Sequence, residues 1–145
     1  MRKLILLTVV SFAATVVAAA DLQPLNVKTG LWQVTTTTTV QGMPAPLTQT
    51  YKSCVTDTNK YPFPDRDNEC TYKVQSSTST HMEVSGNCQY QTGEKADFKI
   101  RLDVDDSEHA HGAGQATIAG PAGTMHGDYS GKGKWIAARC PAGME

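Results

Sequence analysis

Aromatic side chains make up only 7% of the 145 residues, and neither charge sign dominates, with 13 Lys and Arg against 14 Asp and Glu. That balance excludes the basic footprint of a general nucleic-acid binder or a polybasic membrane anchor. Beyond residue 20 no run approaches the ~20 apolar residues that a spanning helix needs. The chain also lacks a Gly-x-Ser-x-Gly elbow, a His-Glu-x-x-His pair, a Cys-x-x-Cys pair and a glycine loop with a lysine-serine ending. Common signatures of serine, zinc, thiol-redox and phosphate chemistry are therefore missing, and no catalytic residue or cofactor is indicated.

What is present begins with a leader. Arg2 and Lys3 precede an apolar stretch from Leu4 to Val17, and Ala18, Ala19 and Ala20 supply the small residues read before cleavage. The mature chain is expected to begin at Asp21 with eleven basic and fourteen acidic side chains, enough length for one domain. No cysteine lies at the cleavage point, so lipidation is not indicated. Cys54, Cys70, Cys88 and Cys140 all follow it, and an even number in an exported chain predicts two disulfides. Three pairings are open. The favoured one joins Cys54 to Cys70 across a proline-containing excursion and Cys88 to Cys140, tying the last strand to the middle of the sheet.

Alternation dominates the rest. Leu31 to Val40, with five consecutive threonines, suits a pleated surface better than a helix. Phe98, Ile100, Leu102 and Val104 alternate with Lys99, Arg101, Asp103 and Asp105, the pattern of a half-buried strand. Further strands are expected over residues 48–55, 70–78, 82–90, 110–118, 124–130 and 132–140, the last two separated by a turn at Gly131 and Gly133. The expectation is an all-β single antiparallel domain of eight short strands after an entry arm. A closed or partly open lipocalin-like barrel would cover its edges; a two-sheet β-sandwich is the alternative.

Gly30-Leu31-Trp32, the threonine tract, Gly42-Met43-Pro44, Cys54 before a proline-containing loop, and Gly133-Lys134-Trp135 running to Cys140 form an ordered set. Together with the leader, this set resembles an uncharacterised bacterial envelope family, domain of unknown function 3617. The resemblance implies a small periplasmic protein of Gram-negative bacteria with no established activity and no catalytic residues to carry over. Gly30-Leu31-Trp32 also resembles the first strand of lipocalin-like barrels, which implies that a basic residue, here Arg139, covers Trp32.

Two groups of residues carry candidate chemistry. His109 and His111 share a strand face, and His81 and His126, with Met82 and Met125, add side chains that copper or zinc accepts. The bland reading is exposed polar residues. Asp103, Asp105, Asp106 and Glu108 form an acidic strand end without the spacing of a calcium loop. Trp32, Tyr72, Tyr90, Phe98, Tyr129 and Trp135 either fill the core or, with Tyr51, line an apolar-ligand pocket. The readings are thus a non-enzymatic envelope module acting by protein contact through Thr35–Thr39 and Met43–Pro46, a carrier of a small apolar ligand in a barrel, or a periplasmic metal binder.

Overall fold

The computed structural model describes residues 21–58 and 70–144. The expected leader and the prolines of the excursion, Pro62 and Pro64, lie outside the described residues. Seven strands follow the entry arm: β1 (Gly30–Val40), β2 (Leu47–Val55), β3 (Cys70–Ser77), β4 (His81–Gln89), β5 (Lys95–Asp106), β6 (His109–Gly120) and β7 (Gly123–Ala137). They form a single antiparallel sheet in the order β2-β1-β7-β6-β5-β4-β3.

That order corrects the expected architecture. The sheet is open and not curled, with β2 and β3 as its two edges, and is neither a closed barrel nor a two-sheet sandwich. Alternation in sequence tells which side chains share a face, but not which strands pair or whether the end strands meet. The count is corrected too, because the last two expected strands are one, the fifteen-residue β7. Gly131 and Gly133 do not turn the chain. They sit opposite Thr36 and Val34 of β1, and a Cβ on Gly133 would lie 3.3 Å from the Trp32 ring. Their two-residue spacing makes room on one face instead of bending the backbone.

The register sorts the side chains into two unlike faces. Trp32 and Val34 of β1, Gly131 and Gly133 of β7, Ala110 and Gly112 of β6, Leu102 and Ile100 of β5, Met82 and Val84 of β4, and Val74 of β3 fall on one apolar face. Large rings on this face lie over glycines in neighbouring strands. A Cβ on Gly86 would come 2.1 Å from the Phe98 ring, and one on Gly114 would come 2.5 Å from the Tyr129 ring. Glycine costs a strand packing area, and the neighbouring aromatic restores it. Core burial is deepest on β4, where Val84 is 0% exposed and Met82 2%.

The arm closes one end of the sheet. Backbone N–H groups of Asn26 and Lys28 donate to the carbonyls of Ser79 and Ser107 at 2.7 and 2.8 Å, and Gln23 N–H donates to Ser77 Oγ at 2.8 Å. Gly30 then turns onto β1 with φ near +123°, and a Cβ there would fall 2.3 Å from the Ala137 carbonyl oxygen. Only glycine fits this approach without moving backbone.

The disulfides also differ from the favoured pairing. Cys54 bonds to Cys140 and Cys70 to Cys88, and the described residues contain no free cysteine. Cys70 and Cys88 are direct register partners on β3 and β4, 4.0 Å apart at Cα. Sequence spacing suggested stapling the excursion, but strand neighbours decide which cysteines can meet.

Candidate functional site

Between the arm and the apolar face lies a cavity of about 550 Å³. Leu25 and Val27 come from the arm, Trp32 and Val34 from β1, and Ile100 and Leu102 from β5, with Tyr51 and Tyr129 also on the wall. Trp32 is 4% exposed and held in place by its indole N–H, which donates to the Lys28 carbonyl at 2.9 Å. Burial pushes the Tyr129 hydroxyl above its ordinary range, and nearby Tyr51 adds to the shift. The phenol therefore stays protonated, and among the described residues its oxygen has no hydrogen-bond partner.

The basic side chains beside this cavity are turned away from it. Arg101, His111 and Lys132 border it, but each sits one residue out of phase with the apolar positions of its strand. Arg101 Nε instead donates to Asp103 at 2.6 Å, and His111 Nδ1 lies 3.0 Å from an Asp105 carboxylate oxygen. Asp57, just beyond β2, is also among the lining residues. The cavity thus suits an uncharged apolar molecule, since a buried charge without a partner is costly.

The expected aromatic set divides. Trp32 and Tyr129 stand on the cavity wall, whereas Tyr72, Tyr90, Phe98 and Trp135 do not line it. Tyr72 and Phe98 meet edge to face, 5.8 Å between ring centres, across the β3–β5 part of the sheet. Trp135 donates its indole N–H to the Thr29 carbonyl at 3.0 Å and is covered by the Lys28 ammonium, 4.6 Å from the ring centre. Arg139 is exposed beyond β7, so the basic cover falls to the arm and to the other tryptophan. The aliphatic wall residues Val34, Ile100 and Leu102 carried a signal in their alternation, but nothing local distinguished a cavity wall from filled core.

On the polar face the histidines meet carboxylates. His81 of β4, Asp103 of β5 and His111 of β6 are consecutive register partners, with His81 Nδ1 at 2.7 Å and His111 Nε2 at 3.8 Å from the Asp103 carboxylate. His109 Nδ1 lies 3.0 Å from Asp106. The His81 hydrogen bond chiefly holds Asp103 below the usual carboxylate range, and the Glu108 backbone N–H does the same for Asp106. His126 is six residues further along the β6–β7 ladder from His111, about 20 Å away, beside the Thr117 hydroxyl. Met82 is buried in the core and Met125 is exposed. Among the described residues, no group of three or more His, Cys, Asp or Glu side chains is placed to hold a metal ion.

One comparison with known proteins finds a match. A family model described as a protein of unknown function (DUF3617) matches residues 27–140. The chain belongs to this family. Its match spans all seven strands and both disulfides, but not the expected leader. Neither the curated proteins nor the solved structures contain a match to the chain. Among the described residues, no helix is long and apolar enough to cross a membrane.

Proposed function

We propose that this DUF3617 protein is a non-enzymatic binding module of the periplasm, and that its cavity takes an uncharged apolar molecule. One observation carries the reading: a cavity of about 550 Å³ with aliphatic and aromatic walls, from which the neighbouring Arg101, His111 and Lys132 side chains are turned by the sheet register. Its volume falls within the roughly 300–1,000 Å³ of small-molecule sites. Two disulfides support an oxidising compartment, and the apolar stretch before Asp21 supports export to one. The pocket lies on the face of an open sheet, so ligand carriage does not require a barrel interior.

Nile red, a neutral apolar dye, tests this reading. Mature protein should enhance and blue-shift the dye's fluorescence, and Thr36→Trp, which places an indole on the cavity wall, should weaken binding at least about tenfold while leaving the melting temperature near wild type. Equal affinity in the filled and unfilled proteins would sink the proposal. Native mass spectrometry of protein taken from its own periplasm should show an added mass that organic extraction removes.

A further inference from the structure

The open sheet leaves two edges, and they are not equivalent. β3 is bulged between Val74 and Ser76, and its end is engaged by the arm through Gln23 and Ser77. β2 runs in unbroken register with β1 over all nine residues, from Val55 opposite Gly30 to Leu47 opposite Thr38. Its first six residues, Leu47 to Lys52, are exposed, with Leu47 at 48% and Tyr51 at 49%. No proline interrupts it, Lys52 is its one charge, and Thr48, Thr50, Tyr51 and Val55 are good strand formers. Such an edge is a template for another strand, because half of its N–H and C=O groups point outward from the sheet.

Thr35–Thr39, expected to act by protein contact, lies between β2 and β7, inside the sheet. Pairing capacity therefore moves to β2, whose sequence is self-complementary. Antiparallel pairing of two copies about Tyr51 sets Leu47 opposite Val55, Gln49 opposite Ser53 and Thr50 opposite Lys52, with Tyr51 facing its own copy. The two Lys52 side chains do not oppose each other, and an aromatic pair occupies the centre. Paired residues share a face, so the exposed Leu47 and Tyr51 of both copies join one continuous apolar surface.

We propose that two copies of the chain associate through β2, antiparallel and centred on Tyr51, into a fourteen-stranded sheet. Sedimentation of the mature full-length chain over a wide concentration range should show a reversible monomer–dimer equilibrium. Tyr51→Lys sets like charges face to face and should raise the dimer dissociation constant at least about tenfold, whereas Gln75→Lys on the β3 edge should leave it unchanged. Hydrogen exchange on the wild-type chain gives a readout that needs no variant: amides of β2, and not of β3, should slow as concentration rises. A chain that stays monomeric throughout overturns the proposal. So does a dimer that tolerates Tyr51→Lys or protects β3 instead.

Discussion

The two edge strands differ in how they are held. β3 is bonded covalently to its own ladder neighbour through Cys70 and Cys88, carries the buried Val74, and is followed along the polar face by charge pairs: Lys99 with Glu83, Arg101 and His81 with Asp103, and His109 with Asp106. β2 is tied through Cys54 to Cys140 beyond the end of β7, and meets β1 through hydroxyl pairs, Thr35 with Thr50 at 2.9 Å and Thr37 with Thr48 at 3.1 Å. One edge is locked into the core and the other is tethered at a distance. Open sheets need not protect both margins by one device, and the less covered margin is the one available for association.

Removing the disulfides one at a time gives the largest expected effects. Loop-closure entropy assigns about 4.5 kcal/mol to a bridge spanning 86 residues and about 3 kcal/mol to one spanning 18. Replacing Cys54 and Cys140 by serine should therefore lower the urea midpoint more than replacing Cys70 and Cys88. The reverse order would show that core attachment at β3 outweighs chain entropy.

Glycine substitutions sharpen the comparison at the level of packing. Gly86→Ala, on the β3 side, drives a methyl into the Phe98 ring and should cost roughly 1–3 kcal/mol in chemical denaturation. Gly131→Ala, on the β2 side, brings its Cβ to 3.4 Å from a Thr36 methyl, an ordinary contact, and should be nearly neutral. Phe98→Leu in the Gly86→Ala background should recover part of the loss; strict additivity would separate the ring from the glycine.

The arm end is a smaller lever. Lys28→Met removes both the ion pair with Glu108 and the cation over Trp135, two half-exposed interactions, and should cost about 1 kcal/mol with a change in tryptophan fluorescence. Acid sensitivity should be smaller still and confined to the β3 side. Hydrogen bonds from His81, Lys99 and the Glu108 backbone hold Asp103, Glu83 and Asp106 below their ordinary values. Their contribution is present above the unfolded carboxylate range, near pH 4, and is lost as pH falls through the lower folded values. Asp103→Asn should thus flatten the acid limb of the melting temperature while β2 substitutions leave its slope unchanged.

Much of this was legible one strand at a time. The pattern from Phe98 to Asp105 separated the faces of β5 correctly, and on β6 the small Gly114 leaves room for the Tyr129 ring. The histidine pair at positions 109 and 111 did share a face, and its partners across the sheet are aspartates, Asp106 and Asp105. The cavity was visible only as aromatics in need of a location. Two of the six lie on its wall, because a side chain's face follows from local alternation while its neighbours follow from strand order.

Composition and period by themselves determined an all-β chain with one apolar and one polar set of side chains and cysteines enough for two bridges. Tertiary structure alone decided that the sheet stays open, that Cys54 reaches Cys140, that β1 lies inside and β2 outside, and that β7 is one strand. Side-chain alternation is fixed by backbone geometry within a few residues. Strand pairing joins segments as distant as β1 and β7, where the packing of rings over glycines and the closure of long loops select the register.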